Sequence, residues 1–261
     1  MSSYLIALVE GVLRGGLCID EADTQVREDF VRFTRTYRKT QVDIGCVIPP
    51  LQHVSKEDVL HGLKHELNST SNSPLVEFIP RTLRRQLGLS ETESRDVLVA
   101  TYVYDKYLGL IFERFLISTA KIVVRTYDEY SMRPECLDGI EVLTNILDVK
   151  GHRKLLGKLI DNISTDGKRK ADYLIMLAMI LFNVSCRKMA KKAQVTFIER
   201  PQVDYGKAYF KKNRKYSTFN RVLRDSTAFV NTSNFVSHLK GEQPLYSEEF
   251  LKSNLPHGTI F

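Results

Sequence analysis

Apolar residues recur along much of this chain at intervals of three and four, the period that turns one face of a helix toward a core. Residues 3–14 predict a short helix stopped by Gly15-Gly16. From Asp20 to Lys39, the spacing of Val26, Phe30, Phe33 and Tyr37 predicts another. Val42–Leu51 carries Pro49-Pro50 and reads as loop or brief strand, because proline lacks an N–H and disfavours helix in the residue before it. Ser55-Lys-Glu-Asp58 puts a hydroxyl and acidic groups where the free N–H groups of a helix start need them, predicting a helix to Leu67. Asn68–Pro74, NSTSNSP, is the clearest loop and the best candidate for an internal boundary.

The strongest pattern begins at Ser90. Ser90-Glu-Thr-Glu93 has the form of a capping box, and Val97, Tyr104, Leu108, Ile111, Phe115 and Ile122 follow at near-helical spacing. Leu98, Val103, Leu110 and Ile117 add further apolar faces, as expected of a central helix over about 90–126. Pro134–Leu147, His152–Ile163 and Arg169–Lys192 predict three more helices, and Tyr216–Val230 another, with a turn at Asn231–Asn234. Short β-prone stretches occur at Val42–Ile48 and Gln194–Ile198. The expected fold class is all-α: a multi-helix bundle around the long central helix with an irregular C-terminal extension. The expected regions are an N-terminal helical one (1–68), a central helical core (75–200) and a basic, partly irregular C-terminal one (201–261), all three compatible with one domain.

Composition changes this picture little. Of 261 residues, 43% are hydrophobic and 26% charged, which suits a folded protein with a buried core rather than a disordered chain. The cysteines (Cys18, Cys46, Cys136, Cys186) form no CxxC pair and read as buried thiols, pointing to a reducing, intracellular setting. The longest apolar run, Tyr173–Val184, spans about 18 Å as a helix, short of a bilayer core, and predicts a buried helix. The N-terminus lacks the basic flank and cleavage site of a secretory signal.

Charge changes the picture more. Between Lys168 and Lys240 there are 16 Lys and Arg against 4 Asp and Glu, a net of +12; the other 22 basic and 27 acidic residues give −5. The overall +7 hides a polarised molecule. Arg187, Lys188, Lys191, Lys192, Lys207, Lys211, Lys212, Arg214, Lys215, Arg221 and Arg224 are interleaved with Tyr205, Tyr209, Phe210, Tyr216 and Phe219. Basic side chains neutralise phosphates and aromatic rings stack on bases, so this tract, Tyr216 included, is the candidate nucleic-acid-binding surface. An acidic protein partner would satisfy the same charge. Lys211-Lys212-Asn213-Arg214-Lys215 would also serve as a nuclear localisation signal.

Other candidates carry less chemistry. His61 and His65 share a helix face at metal-binding spacing, with His53 or Asp58 conceivable as a third ligand. Gly62, however, stands where the zinc-protease motif needs its glutamate. Gly151–Leu159 has five residues between its glycines and no terminal Ser or Thr, so it is not a phosphate-binding loop. No carboxylate pair or Ser, Cys or His arrangement is marked as catalytic. The expectation is no metal, no cofactor and no enzymatic activity.

Ser90–Leu116 resembles the opening helix of the mannitol-operon-repressor family, with Ser94, Arg95 and Asp105 at the corresponding places. Asp172–Val203 is similar to that family's apolar helix and the segment that follows it. The two stretches cover about a quarter of the chain. Relatives carry Arg-Asn and a terminal His where this chain has Arg187-Lys188 and then Met189-Ala190-Lys191. In related helical nucleases an Arg and a His cut RNA, and a charged ammonium at the His place cannot act as base at neutral pH. The resemblance implies a helical regulator working through partner contacts.

The reading from sequence is thus a non-enzymatic helical binding or regulatory protein that engages nucleic acid or an acidic protein through its basic surface, with homo-oligomerisation open. The alternatives are a nuclease or hydrolase with a site assembled from distant residues, such as Arg187 with His152 or His238, and a viral or assembly protein coating nucleic acid.

Overall fold

The stretch from Arg95 to Thr126 is crowded with β-branched and aromatic residues, which lose rotamer freedom in a helix and pack well on a pleated surface. In the structure, a computed structural model, it forms two antiparallel strands, Arg95–Asp105 (β4) and Gly109–Thr126 (β5). The expected all-α bundle around a helix at 90–126 is therefore incorrect. The structure describes residues 29–48, 88–152, 170–195, 198–199, 228–229 and 232–242, together with the backbone of 7–20.

Three earlier strands complete a closed barrel with β4 and β5: Ala7–Asp20 (β1), Asp29–Thr36 (β2) and Lys39–Val47 (β3). Each strand pairs antiparallel with the next in sequence, and β1 closes on β5 in parallel. The parallel seam follows from an odd number of up-and-down strands, which leaves the first and last pointing the same way. Helices expected at 3–14 and 20–39 are thus replaced by β1 and β2. The brief strand expected near Val42–Ile48 is present as β3.

Helices follow the barrel. Tyr127–Ser131 (α1), Pro134–Val149 (α2) and Lys170–Ala193 (α3) lie close to the bounds the sequence predicts for the last two. Ile198–Glu199 (β6) pairs with Ala228–Phe229 (β7), and Thr232–Lys240 (α4) is a helix where a turn was expected at Asn231–Asn234. The elements expected at Ser55–Leu67, Asn68–Pro74 and His152–Ile163, and most of Tyr216–Val230, lie outside the described residues. The chain divides into two compact units: Leu5–Ile48 with Gly88–Phe182, and Met1–Tyr4 with Pro49–Leu87 and Asn183–Phe261.

Ser90 shows why the pattern misled. Its hydroxyl does accept the N–H groups of Thr92 (3.2 Å) and Glu93 (3.1 Å), as a helix cap would. The turn then leads into a strand, and the Ser90 carbonyl accepts the Ile122 N–H of β5 at 3.1 Å. Beyond it, Val97 to Tyr102 are all buried, because one face of β4 lines the barrel and the other lies under helices. Burial of both faces removes the apolar–polar alternation by which a strand is recognised.

On the helix side, the Tyr102 hydroxyl donates to the Leu181 carbonyl at 3.3 Å, and the rings of Phe115 and Phe182 meet edge-on at 6.4 Å. Lys150, at the end of α2, sits 2.6 Å from Glu113 and over the Tyr102 ring at 5.5 Å. On the inner side, directly opposed residues form layers. One layer is Phe30, Gly45, Val99 and Leu116; the next is Arg32, Asp43, Thr101 and Arg114. Asp43 is buried, but its carboxylate is fully engaged: by Arg32 at 3.3 Å, the Thr101 hydroxyl at 2.8 Å and the Gln41 amide at 3.0 Å. Buried charge is tolerated only with such pairing.

Gly45 is required by its neighbour. A Cβ there would stand 2.1 Å from Phe30 Cε1, inside the ring of a fully buried side chain. Gly45→Ala is expected to cost about 3 kcal/mol or more through forced repacking, read as a lowered denaturant midpoint at unchanged m-value.

At the start of β2, Asp29 opposes Cys46, and its Oδ1 is buried although the residue as a whole is half-buried. Burial pushes the carboxyl up to about 7, partly offset by a hydrogen bond with Cys46. A raised folded-state value means the native state holds a proton the unfolded chain has lost. Asp29 therefore contributes stability below about pH 4 that is lost as pH rises to about 7. Asp29→Asn is expected to remove that part of the pH dependence and to be more stable than the parent above pH 7, in urea melts across the range.

Candidate nucleic-acid interface

Helix α3 carries the described part of the basic tract. Cys186 and Ala190 are buried on one side, whereas Lys188, Lys191 and Lys192 are exposed and Arg187 is half-buried. At about 100° per residue the four basic residues share an arc of roughly 140° on the opposite side. The structure therefore brings Arg187, Lys188, Lys191 and Lys192 onto one helix face. Lys207, Lys211, Lys212, Arg214, Lys215, Tyr216, Arg221 and Arg224 lie outside the described residues, as do His53, Asp58, His61 and His65.

Lys191 and Lys192 occupy the last turn, where positive charge also complements the helix dipole. The helix is closed by a left-handed residue: the Val195 N–H reaches the Ala190 carbonyl (2.9 Å) and the Gln194 N–H the Lys191 carbonyl (3.4 Å). Helices α2 and α4 end with the same paired hydrogen bonds, but with Gly151 and Gly241 at the left-handed position. Gln194 holds it at φ 56° with a side chain.

Of the catalytic pairings considered from sequence, Arg187 with His238 falls within one unit and Arg187 with His152 falls in two. Arg187 and His238 belong to the second unit, whereas His152, just after α2, belongs to the barrel unit. No group of three or more His, Cys, Asp or Glu is placed to hold a metal among the described residues. Cys46, Cys136 and Cys186 are buried and form no disulfide among the described residues, and burial raises the Cys136 thiol to about 11. Helix α3 is long and apolar enough to cross a membrane, but most of its apolar stretch is buried inside the protein.

Asp29 is the group that sequence reasoning missed. Nothing in the helical spacing read from Asp20 to Lys39 singled it out; the structure sets it opposite Cys46 with its Oδ1 buried. A carboxyl titrating near neutrality can give or take a proton at physiological pH, which marks it as a candidate acid–base group.

No family model and no curated protein matches the chain. Solved structures do match. The Dss1 exoribonuclease of Candida glabrata, crystallised as an active-site mutant, superposes on 97% of this chain with a TM-score of 0.57 and 12% identity. RNase R of Mycoplasma genitalium, in complex with ribose-methylated single-stranded RNA, superposes on 77% with a TM-score of 0.51 and 11% identity. This chain has the fold of these exoribonucleases. It spans less than half of their length, 46% of the Dss1 chain and 36% of the RNase R chain.

The left-handed Gln194 gives a direct test of the helix end. Gln194→Gly is expected to raise stability by about 1 kcal/mol by removing the Cβ penalty that Gly151 and Gly241 avoid, measured by chemical denaturation.

Proposed function

We propose that this protein engages RNA and that it acts on RNA as a nuclease rather than as a passive binder. The observation that carries the reading is the fold: similarity to exoribonucleases extends over 97% of the chain for Dss1, and RNase R bears single-stranded RNA in its structure. The lysine face of α3 supplies phosphate-neutralising charge, and the chain as a whole is basic. Asp29 supports the catalytic part, as the described carboxyl whose proton affinity lies near neutral pH. An intracellular location fits the same reading, since RNA is found there and buried thiols stay reduced there.

Non-enzymatic RNA binding is the second reading, favoured by the basic helix face, which is built for contact and not for bond-breaking. Incubation with end-labelled single-stranded RNA, with and without divalent cations, separates the two. Progressive shortening that Asp29→Asn abolishes while RNA affinity persists is the expected result; intact RNA under all conditions leaves binding alone.

Binding itself has a quantitative signature. Affinity for single-stranded RNA should fall linearly with salt on logarithmic axes, by about 0.7 per phosphate neutralised. Replacing Lys188, Lys191 and Lys192 together by Ala should flatten that slope by roughly 2 in anisotropy titrations. An unchanged slope would take these lysines out of the interface.

A further inference from the structure

The geometry points to the joined tips of the β2–β3 and β4–β5 hairpins as a stacking platform for single-stranded RNA, with Tyr37 and Tyr107 as its rings. This inference rests on the RNA reading above and deepens it by naming a contact surface within the barrel unit.

The two tips are held together. The Arg38 carbonyl accepts the Lys106 N–H at 3.1 Å, and Lys39 lies opposite Asp105 in the strand register. Asp105 is the fastening group, its side chain only 1% exposed. Its Oδ1 accepts the N–H groups of Tyr107 (2.9 Å) and Leu108 (3.2 Å), and Arg38 Nε stands 3.5 Å from Oδ2. These contacts, led by the Tyr107 N–H, hold the carboxyl below its usual range, so it stays ionised and bonded. Gly109 at φ 76° completes the turn, and Ile111 is the extra residue of a bulge between the Val103–Phe112 and Tyr104–Leu110 pairs. The backbone beneath both rings is thereby fixed before any ligand arrives.

The side chains on this base are unusual for hairpin tips. A two-residue loop such as that between Thr36 and Lys39 favours Asn-Gly or Asp-Gly; here it is Tyr37-Arg38. Tyr37 is fully exposed (105%), and Tyr107 (78%) and Leu108 (75%) nearly so. Rings held in water by a rigid turn add nothing to the core.

Charge selects the occupant. Across Arg35–Thr40 and Tyr104–Gly109 the sole carboxylate is Asp105, which is buried, whereas Arg38, Lys39 and Lys106 are exposed beside the rings. Protein–protein interfaces are depleted of lysine. Tyrosines flanked by lysine and arginine suit single-stranded RNA, whose bases stack on rings while its phosphates meet cations.

The chain has no tryptophan, so Tyr107→Trp introduces a single reporter indole. Titrated with single-stranded RNA, its fluorescence should be quenched as a base stacks. By anisotropy with a labelled single-stranded RNA, the double variant Tyr37→Ala/Tyr107→Ala should bind about five- to a hundredfold more weakly. The Tyr→Phe pair, which keeps both rings, should stay within about twofold of the parent. All variants should melt with the parent, since neither ring is buried. If the parent binds no RNA, the RNA reading falls and this inference with it. If the parent binds but the Ala pair binds equally and the indole is not quenched, the platform is overturned while the RNA reading stands. A dimer that the Ala pair converts to monomer at unchanged RNA affinity would instead make the tips a self-association surface, which also overturns it.

Discussion

The rest of the barrel unit depends on β4 being buried on both faces. Inside, Val99 joins Phe30 and Leu116 in a layer that closes only because Gly45 leaves room for the Phe30 ring. Outside, Tyr102 ties the strand to the Leu181 carbonyl of α3, and its ring lies under the Lys150 ammonium at the end of α2. Helix α2 approaches closely enough that a Cβ on Gly139 would stand 2.9 Å from Phe33 of β2 and 2.7 Å from Leu174 of α3. Strand, neighbours and covering helices therefore form one packed arrangement, in which a single added methyl group is felt.

Polar chemistry is distributed to suit that packing. Two buried aspartates, Asp43 inside the barrel and Asp105 at the hairpin tips, are each matched by an arginine and by hydrogen-bond donors. Both carboxylates are neutralised within the fold, which leaves lysine and arginine to dominate the exposed tips. Asp29 differs: no arginine among the described residues pairs with its buried Oδ1, and burial raises its carboxyl to about 7. The same residue type is thus paired with arginine at two places and protonated up to about neutral pH at a third, separated by what surrounds each carboxyl.

The proposed action on RNA draws together features that were separate in the sequence. The lysine face of α3 supplies charge on a regular helix, the barrel tips offer rings on a fixed base, and the fold is shared with enzymes that degrade RNA. Similarity at 12% identity carries the architecture but not the individual residues. The functional side chains have to be argued from this chain's own geometry.

Helices α2 and α3 were legible because each is long, carries local start or stop signals and keeps its apolar residues at helical spacing. The basic face of α3 was legible for the same reason, since residues three and four apart on a helix are neighbours whatever the rest of the chain does. The barrel was not. Strands such as β4, apolar on both sides, have lost the alternation that marks them, and chance spacings of three and four imitate a helix. The turn at Asp105–Gly109, which splits the supposed central helix, was written in the sequence but outweighed by the apolar run around it. Asp29 and the adjacency of Tyr37 to the Lys106–Tyr107 tip were beyond any local reading, because both depend on strand register. By itself the sequence determined charge, composition and the helices built from local contacts. Tertiary structure alone decided the barrel, the buried carboxyl and the paired tips, because pairing between strands joins residues distant in the chain.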